Sequence, residues 1–420
     1  MSFQQGLSGL NATSKDLEII GNNIANANTY GAKSSRAEFA DVYAASLNGA
    51  GANQIGIGTR LQTVSQQFTQ GNITTTENPM DLAINGAGFF QLTDGRSPTM
   101  YSRNGQFKVD RNGFIVNNEA LQLVGYPADG SGVIQPGQAK PLQLPSAGIN
   151  PNATSKIGIE MNLDARLAVT QPASAPLIDF SNPKTYNNAT SVTVFDDKGQ
   201  DIALTFYFQK TSTDNWDVYA TANGNSVSVD AAGDPQAITS IAFPPNGGKP
   251  TAPAAAVPVT VPPTANANGA ITLPLNVQLD VTTATQYGSP FGVTDLTQNG
   301  YAPGLLSGIS IESTGTVMAR YSNGQAKPAG QVVLANFRNP QGLQAMGGNV
   351  WAQTFSSGTP ILGVPTEGNM GVLQSGALEE SNVDLTGELV NMITAQRIYQ
   401  ANAQTIKTQD QVMQTLVNLR

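Results

Sequence analysis

The C-terminal stretch 381–420 reads SNVDLTGELVNMITAQRIYQANAQTIKTQDQVMQTLVNLR. A bulky apolar or aromatic side chain recurs in it at every seventh residue: Leu385, Met392, Tyr399, Ile406 and Met413. A weaker row follows four residues behind: Leu389, Ala403 and Val417. Such a repeat predicts one long helix with a coiled-coil-like seam. Ser381 and Asp384 form a capping box at its start, and the helix over 385–420 would span about 54 Å.

This helix carries further apolar side chains on another side: Val390, Ile393, Ile398, Val412, Leu416 and Leu419. The seam itself is interrupted by the polar residues Gln396 and Asp410. A helix that is apolar on two sides and has few charges is typical of one with neighbours on more than one side. A single intramolecular partner in a helical hairpin is equally compatible with the periodicity.

The N-terminal residues predict a second helix, over 3–27, by the same kind of repeat. Its apolar positions are Phe3, Leu7, Leu10, Leu17, Ile20 and Ile24. Ser2 and Gln5 supply another capping box, and the helix would be about 38 Å long. Isolated helices of this length are marginal in water. We therefore expect the two terminal helices to pair, and to become fully ordered only when other copies of the chain pack against them.

The end of this helix is rich in asparagine: Asn22-Asn23-Ile24-Ala25-Asn26-Ala27-Asn28-Thr29-Tyr30-Gly31-Ala32-Lys33. Side-chain amides and Gly31 can end the helix and reverse the chain. The spacing resembles the N-terminal signature of the rod and hook proteins of the bacterial flagellum, and the matching positions are Asn22, Asn23, Asn26, Asn28, Thr29, Gly31 and Lys33. This segment is similar to the flagellar axial family as a whole and does not distinguish its members.

Cysteine and histidine are absent from the 420 residues. Their absence excludes disulfides, thiol nucleophiles, Ser-His-Asp triads and metal sites that need thiolate or imidazole ligands. Asp196 and Asp197 could suggest acid/base catalysis, but a turn closed by Gly199 is the commoner role for such residues. We therefore expect that the protein is not an enzyme and that it binds no cofactor and no metal.

The chain is poor in charge and acidic on balance. Charged residues make up 12% of it and the net charge is −8, which argues against a nucleic-acid partner. The sequence contains no apolar run of transmembrane length, and its N-terminus lacks the pattern of a cleaved secretory signal. We expect no membrane insertion, and export by a route that reads an uncleaved N-terminus.

Short alternating segments bounded by Gly, Asn and Asp predict a β-rich middle of the chain. Residues 77–117 indicate strands around Asn-Gly turns, and residues 191–219 indicate a hairpin followed by a third strand. The proline-rich stretch 231–275 indicates loops and edge strands. Residues 40–70 alternate only weakly and indicate an extended or irregular connector.

Three further stretches extend the resemblance, and they are similar to hook proteins rather than to distal rod proteins. They are Asn162-Leu163-Asp164-Ala165, residues 191–219, and the C-terminal stretch 375–411. The predicted fold class is mixed α and β: paired long terminal helices, coiled-coil-like, plus two nested β-rich domains, sandwich- or barrel-like, inserted in series. The predicted parts are helices at 1–30 and 381–420, connectors at 31–76 and 366–380, a first β-domain at 77–150 and 301–365, and an inserted outer β-domain at 151–300.

The resemblance implies a structural subunit that polymerises helically into a flexible curved tube outside the cell, a universal joint that passes motor torque to the filament. It also implies export through the flagellar type III apparatus and contacts with the hook cap, distal rod and hook–filament junction proteins. The alternatives are a distal rod protein of the basal body and a secreted β-rich adhesin. We expect the apolar positions of the terminal helices, including Leu416 and Leu419, to form the assembly interface.

Overall fold

The computed structural model describes residues 2–42, 56–145, 148–266 and 268–418. They form a helix at each end of the chain and a body that is predominantly β-sheet, which confirms the mixed α and β class. Helix α1 covers Ser2–Ala25 and helix α2 covers Leu385–Asn418. The predicted helices over 3–27 and 385–420 therefore correspond closely to α1 and α2. A short 3-10 helix lies at Pro340–Gly342.

The strands follow in chain order. The first group is β1 Ser35–Val42, β2 Gly58–Gln66, β3 Ile73–Thr75, β4 Leu82–Asn85, β5 Phe89–Thr93, β6 Met100–Ser102, β7 Lys108–Val109, β8 Ile115–Val116, β9 Gln122–Pro127 and β10 Lys140–Pro141. The second is β11 Lys156–Asp164, β12 Asn188–Phe195, β13 Asp201–Ser212, β14 Asn215–Ala222, β15 Asn225–Ser226, β16 Thr239–Ala242, β17 Val257–Val261, β18 Leu275–Asp280, β19 Thr285–Tyr287 and β20 Gly292–Gln298. The third is β21 Leu306–Ile311, β22 Thr316–Tyr321, β23 Ala326–Val332, β24 Leu334–Asn336, β25 Gln344–Gly347, β26 Val350–Ala352, β27 Ile361–Gly363, β28 Val372–Ser375 and β29 Ala377–Glu379.

The chain separates into two compact units. Unit 1 comprises Met1–Ser146, Gly308–Arg320 and Ala326–Arg420, and unit 2 comprises Ala147–Ser307 and Tyr321–Gln325. Unit 1 therefore takes residues from both ends of the chain, and it contains both helices. Unit 2 is drawn mainly from the middle of the chain.

Unit 1 is built on a branched sheet in which β5 pairs with β6, β9 and β24. Its core consists of fully buried aliphatic and aromatic side chains: Leu82, Ile84, Phe90, Leu92, Leu123 and Leu334. Two antiparallel pairs then bring the C-terminal strands onto N-terminal ones, β28 on β4 and β29 on β3. These pairings place the start of α2 next to the end of α1.

The predicted connector 31–76 is more regular than its sequence indicates. Strands β1 and β2 form an antiparallel hairpin from Ser35 paired with Gln66 to Val42 paired with Gly58, with a bulge after Glu38. Their side chains alternate only partly between buried and exposed, which explains the weak sequence pattern. The hairpin contacts α1, where the Gln5 side chain donates to the Gly56 carbonyl at 2.6 Å.

Unit 2 contains the hairpin that its sequence predicts. Strands β12 and β13 pair antiparallel, β14 adds to β13, and alternate side chains of β13 are buried. Trp216 is fully buried, and its indole nitrogen donates to the Gln286 Oε1 at 2.8 Å. Within the proline-rich stretch, β17 lies at the edge of its sheet, as expected for proline-containing segments.

The Asp196 carboxylate has a structural role in unit 2. It is buried and accepts hydrogen bonds from the backbone amides of Lys198, Gln200 and Leu273, at 2.8 to 2.9 Å. A carboxylate whose oxygens hold a turn in this way is not presented to a substrate. The acid/base alternative for Asp196 and Asp197 therefore has no support in this turn.

Candidate assembly site

The two terminal helices run antiparallel along each other. At one end the Asn23 side chain donates to Glu388 Oε1 at 3.0 Å. Further along, Gly9 lies against the Asn402 side chain and Gly6 lies against Ile406. A Cβ atom added at Gly9 would be 2.9 Å from Asn402 Nδ2, so the glycines let the helix axes approach closely.

The row of α1 that faces inward is made largely of small or polar residues. Gly6, Thr13 and Ile20 are buried at seven-residue spacing, and Asn23 is buried one turn beyond. On α2 the buried Ala395 and the half-buried Asn402 and Gln409 accompany Met392 and Ile406. The apolar repeat does not point to Gly6, Thr13 or Ala395, because small and polar residues are not part of it.

The predicted interface residues fall into three groups. Ile20 is buried, and a second group is half-buried: Leu10, Leu17, Ile24, Met392 and Ile406. The remaining described side chains are exposed: Phe3, Leu7, Leu385, Leu389, Tyr399 and Met413. Leu416 belongs to α2 but its side chain is not described, and Leu419 lies outside the described residues.

Replacing Gly9 with leucine is expected to destabilise the helix pair by about 1–3 kcal/mol, because the added side chain overpacks the contact with Asn402. Gly21 is the matched control: it lies in the same helix, and a Cβ there would meet nothing within 4 Å. Gly21→Leu should instead stabilise α1 slightly through helix propensity. Hydrogen exchange of the α1 amides measures both effects. Equal protection in the two variants would contradict the close contact.

The asparagine-rich segment joins α1 to the hairpin and to α2. Asn23 donates to the Ser35 carbonyl and accepts from the Ser35 amide, both at 2.8 Å. Asn26 donates to the Asn22 carbonyl at 2.9 Å, which closes the end of the helix. Gly31 has φ +71°, and a Cβ there would be 2.5 Å from the Asn104 amide nitrogen. Gly31 is therefore required for the reversal, whereas the Asn28 side chain is exposed.

A buried charge cluster lies where this segment meets the sheet of unit 1. Lys33 is 7%, Arg103 5% and Glu379 1% exposed. The Lys33 Nζ is 2.5 Å from Glu379 Oε1, and Arg103 Nη1 is 3.1 Å from Glu379 Oε2. Burial lowers the pKa of both Lys33 and Arg103, and the charge of Glu379 acts in the opposite direction. Glu379 thus holds the N-terminal segment to the strand that leads into α2.

Backbone groups complete this cluster. The Glu379 carbonyl accepts from the Gly31 amide at 2.8 Å, and its carboxylate accepts from the Gly71 amide at 3.0 Å. Nearby, Asn382 accepts from the Ser34 amide and donates to the Gln67 carbonyl, both at 2.7 Å. Sequence patterns could not reveal Glu379, Asn382 or Arg103, since their partners lie far away in the chain.

An open groove of about 360 Å³ runs between α1, the β1–β2 hairpin and α2. Its walls combine apolar side chains, among them Ile20 and Ala395, with Asp16 and Gln67. Burial raises the pKa of Asp16. The buried Gln67 Nε2 has no hydrogen-bond partner. The terminal helices and the hairpin therefore leave space and an unused donor on this side.

Within the described ranges, no three acidic residues gather in a way that could hold a metal ion. None of the helices described is long and apolar enough to cross a membrane. The features that remain prominent are the exposed apolar side chains of the terminal helices.

Family models match successive parts of the chain. They are "Flagella basal body rod protein" at residues 3–33, "Flagellar hook protein FlgE/F/G D1 domain" at 83–166, "Flagellar basal body protein FlaE D2 domain" at 162–301 and "Flagellar basal body rod FlgEFG protein C-terminal" at 374–419. The first and last of these models cover the two terminal helices.

Full-length relatives give the same result. The chain is 43% identical over 434 residues to the flagellar hook protein FlgE of Escherichia coli (strain K12), covering 100% of both. It is 42% identical over 422 residues to the flagellar hook protein FlgE of Salmonella typhimurium, again covering 100% of both. Among solved structures, Helicobacter pylori flagellar hook protein FlgE2 is similar in fold, with a TM-score of 0.53 at 15% identity, over 73% of this chain and 100% of that one.

Proposed function

Because the chain belongs to the flagellar hook protein family, we propose that its paired terminal helices are the surface through which copies assemble into a tube. The chain is a structural subunit of the bacterial flagellar hook, and this family is structural rather than enzymatic. The helical symmetry of the tube, its flexible and curved form and its role as a universal joint belong to the proposal.

The observation that carries the proposal is a set of exposed apolar side chains on α2, drawn from the seven-residue repeat and from the second apolar side of the helix. We call it the outer stripe: Leu385, Leu389, Val390, Ile393, Ile398 and Val412. An uncovered apolar surface of this extent is typical of an interaction site. Each of these side chains is roughly half exposed, so covering each one contributes about 1 kcal/mol before entropy losses.

The unequal lengths of the helices add a second exposed segment. Helix α2 has 34 residues and α1 has 24, so α2 extends beyond the start of α1. Gly6, near the start of α1, lies against Ile406, so the described part of α1 ends close to Asp410. Met413 and Val417 lie beyond that point and are exposed. In the proposed polymer, neighbouring copies cover this end and complete the coiled-coil-like packing that the seven-residue repeat predicts.

We extend the proposal to the order of domains. The terminal helices would line the inside of the tube, the first β-domain (77–150 and 301–365) would surround them, and the inserted outer β-domain (151–300) would be nested within the first. The chain segments that form the two units support this order, because unit 1 takes residues from both ends of the chain and unit 2 mainly from the middle. The match of the D2 domain model to residues 162–301 supports the outer domain in particular.

The partners and location proposed from the family are those of an exported axial subunit. They are other copies of the chain, the hook cap protein, the distal rod and hook–filament junction proteins, and the flagellar type III export apparatus. The proposed location is outside the cell, at the hook and basal body. Identity of more than two fifths to a hook protein along the whole chain favours this assignment over a distal rod protein or an adhesin.

Electron microscopy of the purified chain in polymer-promoting salt tests the proposal. The full chain is expected to form curved tubes, and a version lacking residues 1–30 and 381–420 is expected to remain monomeric. Lys33, Arg103 and Glu379 are all retained in the truncated version, so its β-sheets keep their buried charge cluster. Tubes from the truncated version would contradict assembly through the helices, and straight rigid rods from the full chain would contradict the universal joint.

A further inference from the structure

Phe355 is the most exposed large apolar residue among those described, with a relative exposure of 103%. It lies in the turn after β26, on unit 1 and outside both terminal helices. A single exposed apolar side chain is ordinary on a protein surface. The turn that presents this one, and a cavity near it on the same unit, give it significance.

The turn is held in one conformation by hydrogen bonds on both sides of Phe355. Thr354 Oγ1 donates to the Gly342 carbonyl and accepts from the Ser357 amide. The Thr354 amide donates to Ser357 Oγ at 3.0 Å, and Ser357 is only 1% exposed. Asn339 donates to the Ser356 carbonyl at 3.1 Å. A side chain on such a fixed turn loses little conformational entropy when it binds.

Unit 1 also has a cavity that fits a phenyl ring. Its volume is about 270 Å³, and its walls include Phe68, Ala87, Phe89, Pro340 and the guanidinium-bearing Arg103. A smaller apolar cavity, of about 150 Å³, is already sufficient for benzene. Phe68 and Phe89 meet edge to face, with ring centroids 5.5 Å apart, and Trp351 packs edge to face on both. A ring that enters the cavity would therefore extend an existing aromatic cluster.

The electrostatics of this cavity favour an aromatic occupant. Lys33 and Arg103 share the single carboxylate of Glu379, so the cluster behind the cavity has one positive charge in excess. Arg103 Nε is buried without a hydrogen-bond partner, and the guanidinium lies 5.3 Å from the Phe89 ring centroid. A ring face offers negative potential to this cation, and the apolar part of the wall, formed by Phe68, Phe89 and Pro340, can cover the rest of the ring.

We propose that Phe355 of one copy inserts into the cavity between Phe68 and Pro340 of a neighbouring copy. This inference rests on the proposed function, since it requires that copies assemble. The side chain and the cavity lie close together on unit 1, because the Phe355 turn is hydrogen-bonded to Asn339 and Gly342 and the cavity wall includes Pro340 between them. When each copy inserts its ring into the next copy in one direction, the contact is heterologous and its repetition generates an open helical array. It would supply the sheet-bearing part of the subunit with a contact that is independent of the terminal helices.

Cysteine cross-linking within assembled hooks tests the contact, because the chain has no cysteine of its own. Ser356→Cys places a thiol beside the intact Phe355, and Ala87→Cys places one at the exposed wall of the cavity. Cells that lack their own hook protein would express the two variants together. Oxidation of the isolated hooks should give disulfide-linked dimers from the mixture and none from either variant alone.

Two controls make the result specific. Val133→Cys, at an exposed position of unit 1 outside the cavity, should give no dimers with Ser356→Cys. Adding Phe355→Ser to the Ser356→Cys chain should remove the dimers and raise the protein concentration needed for assembly about tenfold. Phe355→Tyr retains the ring and should leave both measurements unchanged.

The outcomes separate the two proposals. Hooks that form normally but give no dimers between Ser356→Cys and Ala87→Cys would overturn the Phe355 contact and leave the proposed function in place. Dimers formed equally well with Val133→Cys would also overturn it. If Phe355→Ser prevented assembly although Ser356→Cys and Ala87→Cys gave no dimers, the Phe355 ring would bind at a different site, and the proposed contact would be wrong. Failure of the unsubstituted chain to form tubes would overturn both.

Discussion

Replacing Glu379 with glutamine is expected to lower the free energy of unfolding of unit 1 by about 3–5 kcal/mol. The substitution keeps the size of the side chain but leaves Lys33 and Arg103 without their shared carboxylate. Both cations are more than nine-tenths buried, so water cannot replace the lost partner. The expected loss of stability comes from leaving two buried cations without a partner, and not from the net stabilisation that an ion pair itself provides.

Glu380→Gln provides the matched control, because it makes the same change at the next residue, which is less buried. Urea unfolding monitored by tryptophan fluorescence of Trp351 in unit 1 measures both variants, with Trp216 replaced by phenylalanine to remove the signal of unit 2. The control should change the free energy of unfolding by less than about 0.5 kcal/mol. Lys33 also donates to the Thr69 carbonyl and Arg103 to the Gly86 carbonyl, both at 2.8 Å. A loss below about 1 kcal/mol in Glu379→Gln would show that these carbonyls stabilise the two cations without the carboxylate.

The double substitution Val390→Asp and Ile393→Asp is expected to prevent hook assembly while leaving the monomer folded. The two side chains are 59% and 51% exposed, so the isolated subunit should lose little stability. In a polymer that covers the outer stripe, the new carboxylates would be buried without partners. The protein concentration needed for assembly should rise about a hundredfold or more.

Sedimentation and electron microscopy measure the assembly of this variant, and circular dichroism measures its fold. Val390→Leu with Ile393→Leu keeps the stripe apolar and should assemble. Val133→Asp introduces one such carboxylate at a position of unit 1 that is 57% exposed and outside both terminal helices, and it should assemble as well. Normal hooks from the aspartate variant would exclude the outer stripe from the interface.

Sequence patterns predicted those helices and hairpins whose formation depends on residues close together in the chain. The start of α2 at Leu385 and the β12–β13 hairpin agree with the predictions, because a helix cap, a repeat and a Gly-closed turn act over a few residues. The predicted reciprocal capping box of Ser381 and Asp384 does not form: Asp384 caps α2 by accepting from the Thr386 amide at 3.1 Å, and Ser381 accepts from the Val383 amide. The inward row of α1 was harder to predict, because Gly6 and Thr13 allow close packing through their small size and are not part of an apolar repeat.

Contacts between distant parts of the chain could not be predicted in this way. Lys33 stood out as part of the asparagine-rich signature, but its carboxylate is 346 residues away. The β1–β2 hairpin was expected to be irregular, because its alternation is weak and its stability depends on α1. The Phe355 turn and its cavity gave no sequence signal, since an exposed aromatic residue has no periodicity.

The separation of Lys33 from Glu379 also determines the order in which unit 1 can fold. Closing a loop of 346 residues is slow, and strands β3 and β4 wait for β29 and β28 in the same way. Until the C-terminal strands are available, β3 and β4 lack these pairing partners, and Lys33 and Arg103 lack the carboxylate of Glu379. Unit 1 therefore cannot complete its fold while either end of the chain is held back, so the arrival of both ends becomes the event that completes it.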